Sequence, residues 1–258
     1  VRVEILGCSG GFAKEHDTTS ALIDGDVLLD AGTGVGRLSH KKMSAVRSVL
    51  LSHSHLDHVA SMCFLIDYNI DFMEEPTSVY CLPHTAKMIR ENLINGQLWP
   101  DIESVQNKGV NLLEINEIKP YRDFVVRGKT FTALPVNHVV PTVSYAMHGP
   151  KSKFVYVSDM IDAEPKFWKW MNAQDDISHV VLECSFPSHM RRIAEISKHL
   201  TPALLKEQLR NLKPRKKMPK IFVSHIKPYF EREIRREIKK EFPDGSVVPL
   251  EAGMKFVI

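Results

Sequence analysis

Cysteine is scarce in this chain. The 258 residues hold four, Cys8, Cys63, Cys81 and Cys184, and no two stand at Cys-x-x-Cys spacing. That excludes a thiolate metal cage and a dense disulfide framework. Three of them lie among apolar neighbours, as reduced buried thiols do, so a cytoplasmic setting is expected. Long apolar runs are missing as well: none approaches the roughly 18 residues of a membrane-spanning helix, and no membrane partner is expected. The start, Val1-Arg2-Val3-Glu4-Ile5-Leu6, alternates like a first strand and not like a signal peptide, although a chain beginning at valine leaves a removed leader open. An excess of one charge sign is also absent, since 34 Lys and Arg against 31 Asp and Glu leave a net charge of +3. The basic runs Lys213-Pro214-Arg215-Lys216-Lys217 and Arg235-Arg236-Glu237-Ile238-Lys239-Lys240 are short, as solvated loop or helix faces are, so no nucleic-acid partner is expected. There is no internal repeat or low-complexity segment. The 43% hydrophobic content suffices for one core-bearing domain over residues 1–258.

Histidine is what the chain does have. Ser52-His53-Ser54-His55-Leu56-Asp57-His58 places three imidazoles and one carboxylate within six residues, directly after the apolar run Val46 to Leu51. That run reads as a strand delivering the cluster to a sheet edge, where loops carry chemistry on a rigid scaffold. In extended backbone His53 and His55 point to one side and can reach one ion. Where the chain then turns toward a helical pattern, Asp57 and His58 can swing to a second ion. Imidazole and carboxylate ligands suit zinc, and also manganese or iron. The plainer reading is a histidine-rich surface loop.

One cluster cannot fill two coordination spheres, so further ligands should come from the ends of later strands. Phe131 to Asn137 ends at His138, Lys153 to Ser158 ends at Asp159, and Ile221 to Ser224 ends at His225. Taken singly, His138 or His225 reads as a satisfied core histidine and Asp159 as a helix cap. Beside the cluster, all three read as ligands.

His53-x-His55-x-Asp57-His58, followed by His138, Asp159 and His225, resembles the metallo-β-lactamase superfamily, as does Val27-Leu28-Leu29-Asp30-Ala31-Gly32-Thr33-Gly34 near the start. The resemblance implies an α/β fold, a four-layer αββα sandwich of two mixed sheets in pseudo-symmetric halves, with metals at one edge. It also implies that His53, His55 and His138 hold one divalent ion, Asp57, His58 and His225 a second, and that Asp159 bridges them. Hydrolysis follows as the expected reaction, because two such ions can activate a water and bind both oxygens of a displacement at phosphorus. Asp30 is expected as an inner structural carboxylate.

The run His53 to Ser61 is similar to the signature of class II 3′,5′-cyclic-nucleotide phosphodiesterases. So are His138-Val139-Val140-Pro141-Thr142-Val143-Ser144-Tyr145, Leu182-Glu183-Cys184-Ser185-Phe186-Pro187 and His199-Leu200-Thr201-Pro202. After Ser61 the residues depart from the fuller pattern. The resemblance implies a small-molecule cyclic nucleotide, cAMP or cGMP, opened to its 5′-monophosphate, with His199, oriented by Glu183, as acid and Asp57 essential. A positioned acid contributes about 10²- to 10⁴-fold. Without such a role, Glu183 and His199 would cap a strand and a helix. Members of that group are often dimers, so a homodimer is a further expectation. The alternatives are a tRNase Z-like nuclease, though glycine usually replaces Leu56 there and a Gly/Pro-rich arm clamps tRNA, and a non-catalytic metal-binding member.

Substrate contacts are less legible. Lys227, two residues past His225, could meet a phosphate oxygen, and amides of Gly7-Cys8-Ser9-Gly10-Gly11 could approach one. Phe64, Tyr68, Phe72 and Trp99 could wall a base or simply fill core. His84, after Pro83, reads as a first-turn helix residue and no ligand. Strands are expected at 1–6, 20–30, 46–52, 109–114, 122–135, 143–148, 153–158 and 247–257, and helices at 59–72, from Pro83, at 201–211 and at 229–241.

Overall fold

The computed structural model of the chain describes residues 1–258. The strands of the first half are β1 (Arg2–Gly7), β2 (Ser20–Ile23), β3 (Val27–Leu29), β4 (Ser48–Leu50), β5 (Thr77–Cys81), the short pair β6 (Gln106–Asn107) and β7 (Val110–Asn111), and β8 (Leu113–Glu117). The second half supplies β9 (Asp123–Val126), β10 (Lys129–Val136), β11 (Thr142–His148), β12 (Lys153–Tyr156), β13 (Ile177–Glu183), β14 (Lys220–Ser224), β15 (Val247–Pro249) and β16 (Lys255–Val257). Helices are α1 (His40–Met43), α2 (Leu56–Asn69), α3 (Pro83–Asn92), α4 (Pro165–Asn172), α5 (Arg191–Ser197), α6 (Pro202–Leu209) and α7 (Glu231–Glu241). None is long and apolar enough to cross a membrane.

Two seven-stranded sheets form, ordered β16-β1-β2-β3-β4-β5-β8 and β9-β10-β11-β12-β13-β14-β15. Read in those directions, each makes three antiparallel pairings and then three parallel ones. The expected pseudo-symmetry is therefore present strand for strand.

Period-two alternation creates the layers. Val3, Ile5, Ala21, Ile23, Phe131, Ala133, Phe154 and Val181 point between the sheets. From the same strands Leu6 and Leu22 pack outward against Val59, Met62 and Ile66 of α2. On the other side Leu134, Val155, Val180 and Leu182 pack against Phe167 and Met171 of α4 and Ile234 and Ile238 of α7. Three separate cores between four layers give the expected αββα sandwich.

Several expected strands break in two. The segments 20–30 and 122–135 are interrupted at Asp24-Gly25 and at Arg127-Gly128, where both residues of each pair take positive φ; 109–114 divides at Leu112 into β7 and β8, and the like pair Lys108-Gly109 joins β6 to β7. Glycine tolerates that conformation, and two such residues in succession make a tight hairpin. The expected closing strand at 247–257 is also two: β15 completes one sheet, the chain turns at Gly253 (φ 90°), and β16 completes the other. Helix α2 begins at Leu56 and not at Val59, with His55 extended at its N-cap position and Asp57 in the first turn, where a carboxylate favours the helix dipole. Strand β5 and helices α1, α4 and α5 are not among the expected elements.

This topology gathers strand ends. Strands β12, β13 and β14 are parallel neighbours, and β10 runs the same way across β11, so the residues after all four emerge at one edge.

Candidate metal centre

Each of the seven expected ligands arrives there just past a strand end or in the first turn of α2. His53, His55, His138 and Asp159 bring ligand atoms within 4.8 Å of one another, and so do Asp57, His58 and His225. His55 Nδ1 lies 3.3 Å from His138 Nε2. Asp159 Oδ2 belongs to both groups in space, 3.3 Å from His225 Nε2, 3.4 Å from His58 Nε2 and 3.8 Å from His53 Nε2. Asp57 Oδ2 is 3.2 Å from His225 Nε2.

These residues fit divalent cations. Nε2 of His53 and Nε2 of His58 are buried without any hydrogen-bond partner, an arrangement that costs free energy unless something else takes the lone pair. The donor set is five imidazoles and two carboxylates, the nitrogen and oxygen chemistry that zinc, manganese and iron accept.

Four of the five imidazoles have their outward nitrogen occupied, which turns the free one inward. His58 Nδ1 donates to Asp30 Oδ2 at 2.8 Å, and the same carboxylate accepts Ser52 N–H at 2.7 Å and the Ser52 hydroxyl at 2.9 Å. His53 Nδ1 donates to Ser52 Oγ at 2.9 Å, His138 Nδ1 to the Lys198 carbonyl at 3.0 Å, and His225 Nδ1 to Ser185 Oγ at 2.8 Å. Asp30 is the inner carboxylate the sequence suggested. Ser52, Ser185 and the Lys198 carbonyl carried no foreseen role; both serines stand within two residues of a site residue, which is the only signal they offered.

Three of the eight non-glycine residues with positive φ stand here. Asp30, Lys198 and His225 have φ of 55°, 54° and 59°, left-handed values that non-glycine residues seldom adopt and that persist where surroundings enforce them. Gly10 enables one of them, since a Cβ there would stand 2.3 Å from the His225 carbonyl oxygen and 2.6 Å from its Nδ1. The amides of Ser9 and Gly10 are not free for a phosphate as the glycine turn suggested: they donate to the carbonyls of Asp17 and Ile226.

Electrostatics favour cation capture. Burial lowers His53 well below the usual imidazole range and His138 to about 4, leaving both lone pairs available at neutral pH. Burial works against ionisation of Asp57 and Asp159, yet the imidazoles of His225 and His58 hold both well below the usual carboxylate range. His58 runs the other way: burial opposes its proton, but Asp159 and Asp30 retain it, so a cation taking that place must displace it.

Next to this cluster stands the expected acid pair. His199 Nδ1 is 3.1 Å from Glu183 Oε1, which also accepts Leu200 N–H at 2.8 Å, while Glu183 Oε2 accepts the Ser185 hydroxyl at 3.0 Å. Burial lowers the His199 pKa, but the Glu183 carboxylate outweighs it and the net shift is upward. His199 also brings a nitrogen within 4.8 Å of ligand atoms on Asp159 and His225. Lys227 Nζ donates to the Gly10 carbonyl at 3.1 Å and lies 5.2 Å from the centre of the Phe186 ring.

Of the four aromatics that could wall a base or fill core, Phe64 and Phe72 are exposed, Trp99 packs edge-on to Phe64 at 5.3 Å, and Tyr68 pairs with His40. At 1.5 Å per residue, Phe64 and Tyr68 lie about 10 and 16 Å along α2 from Asp57. His84 is a first-turn residue of α3 and outside every metal-competent group. Cys63, Cys81 and Cys184 are buried and all four cysteines are free, as expected.

A family model described as the beta-lactamase superfamily domain matches residues 26–220. A Yersinia pestis protein named as a probable 3′,5′-cyclic-nucleotide phosphodiesterase is 24% identical, aligned over 99% of this chain and 86% of that one. Among solved structures, unliganded yeast PDE1 superposes with a TM-score of 0.82 at 17% identity, covering 100% of this chain and 99% of its own. The metallo-beta-lactamase fold protein YhfI from Bacillus subtilis gives 0.76 at 18% identity over 99% and 98%.

Proposed function

Because the chain belongs to the beta-lactamase superfamily domain family, we propose that it is a metal-dependent phosphodiesterase opening 3′,5′-cyclic nucleotides to 5′-monophosphates. One observation carries the reading: the Glu183–His199 pair stands against Asp159 and His225, where a leaving oxygen beside the ions needs a proton. The relative named for this activity, aligned over 99% of the chain, supports the substrate class.

His53, His55 and His138 would hold one ion and Asp57, His58 and His225 the other, with Asp159 between them and zinc first among the candidates. When bound, such ions supply Lewis acidity at phosphorus and a water whose pKa is lowered to about 7. The protein's own groups do the rest. Glu183 fixes His199 by holding its Nδ1–H, so Nε2 delivers the proton. Water oxygen joins phosphorus, the P–O3′ bond breaks, and the proton from His199 makes the departing O3′ a hydroxyl. Lys227 offers a point charge for a phosphate oxygen, and its single bond to the Gly10 carbonyl leaves two N–H groups for that purpose.

The test is steady-state hydrolysis by metal-quantified protein of 3′,5′-cAMP, 3′,5′-cGMP, 2′,3′-cyclic nucleotides, bis(p-nitrophenyl) phosphate and a 3′-extended tRNA precursor, with Asp57→Ala as control. Preference for a 3′,5′-cyclic nucleotide, lost in the control, is expected. Cleavage of the tRNA precursor with cyclic nucleotides untouched would replace this reading with a tRNase Z-like one. Metal-replete protein inert toward every diester would replace it with a metal-binding member that does not catalyse.

A further inference from the structure

Two chain segments run side by side past His225. His225 N–H donates to the Cys8 carbonyl at 2.7 Å and Gly10 N–H to the Ile226 carbonyl at 3.0 Å, with Ser9 and Ile226 paired in parallel. Contact continues to Gly11, where a Cβ would meet the Pro228 ring at 3.3 Å. Phe12 follows directly after Gly11, and Tyr229 directly after Pro228 in the short 3-10 turn Pro228–Phe230. Their exposures are 79% and 91%, more than any other large hydrophobic or aromatic side chain.

Neither ring is buried in a core. Phe12 and Tyr229 are in no hydrophobic cluster, Phe12 has no aromatic neighbour, and Tyr229 meets Phe230 edge-on at 5.0 Å between centroids. Two unburied aromatics on segments that backbone bonds hold beside a candidate metal ligand, with Lys227 between His225 and Tyr229 in the chain, suit a planar π-faced ligand carrying an anionic phosphate. A rival is the cavity of about 1160 Å³ outside the β10–β11 loop, but it touches only His138 of the seven candidate ligands.

Resting on the phosphodiesterase reading above, we infer that Phe12 and Tyr229 form the platform on which the purine base of the substrate stacks while its phosphate sits at the metal centre. Being exposed, both positions accept alanine without opening a cavity in a core. Stacking measured by alanine substitution is worth roughly one to two orders of magnitude in binding.

The test compares Phe12→Ala, Tyr229→Ala, the double variant and Tyr229→Phe on cAMP and on abasic ribose 3′,5′-cyclic phosphate. The expected result is a rise in KM for cAMP of about 10-fold for each alanine variant, with kcat within about 2-fold of wild type. Tyr229→Phe should behave as wild type, and KM for the abasic analogue should not move. An unchanged KM for cAMP in the double variant, or an equal rise on the abasic analogue, overturns the platform. Wild-type protein that turns over other diesters but neither cyclic phosphate fails one step earlier, overturning the phosphodiesterase reading and the platform with it.

Discussion

Ser185 Oγ lies 2.8 Å from His225 Nδ1, and both side chains are buried. The hydroxyl accepts that N–H and donates its own O–H to Glu183 Oε2 at 3.0 Å, while Glu183 Oε1 holds His199. One donor–acceptor chain therefore links a candidate metal ligand to the candidate acid. Partners of this kind fix ligand orientation and raise basicity, and losing one weakens metal affinity about 10- to 100-fold. Ser185→Ala should show that loss in chelator competition with its circular dichroism unchanged. Unaltered affinity would reduce the serine to a packing residue.

Asp30 accepts three hydrogen bonds in the interior, from His58, Ser52 N–H and the Ser52 hydroxyl. Asp30→Ala leaves those donors buried and unpaired, which should cost about 3 to 5 kcal/mol in urea unfolding of metal-free protein. Asn tolerates the left-handed backbone at this position, so Asp30→Asn separates the charge from the strain and should lose less. A loss below about 1 kcal/mol for the alanine variant would contradict the network's role.

His199→Ala should distinguish substrates by their leaving groups. A ribose 3′-oxygen departs poorly as a free alkoxide, so turnover of cAMP should fall about 10²- to 10⁴-fold. Nitrophenolate leaves without help, so hydrolysis of bis(p-nitrophenyl) phosphate should fall far less. Equal losses on both substrates would make His199 a ligand or a structural residue.

His179 gives a pH signature remote from the candidate centre. Its ring lies 5.2 Å from Phe256 and 6.1 Å from Phe222 between centroids, and burial, then Lys220 and Lys217, lower its pKa. The unfolded chain therefore binds the extra proton first, and the contribution of neutral His179, complete above about pH 6.5, is lost as pH falls toward the folded pKa. His179→Phe carries no such proton. Its Tm relative to wild type should improve between about pH 7.5 and pH 5, whereas a constant difference would mean the ring is not held neutral.

Most of the candidate centre was legible because its residues are tied to strand ends: an apolar run followed by His, Asp or Glu marks both the element and its edge. His53, His138, Asp159 and His225 were found that way, and the structure brings them together. The layered fold followed from the resemblance carried by those same residues. Less legible were turns made by X-Gly pairs such as Arg127-Gly128, because the apolar pattern runs through them and only the positive φ separates two strands from one. Ser185 and Ser52 are illegible for a different reason. A serine's role depends on which buried nitrogen it meets across the fold, and nothing local encodes that partner.

The most direct test of the central claim is a single turnover of 3′,5′-cAMP in ¹⁸O-water on protein supplied with two equivalents of zinc, with products resolved by ³¹P NMR and mass spectrometry. Attack at phosphorus with departure of O3′ should give only 5′-AMP, with one ¹⁸O in its phosphate. Formation of 3′-AMP, label in the ribose, or no product from metal-replete protein would contradict the account.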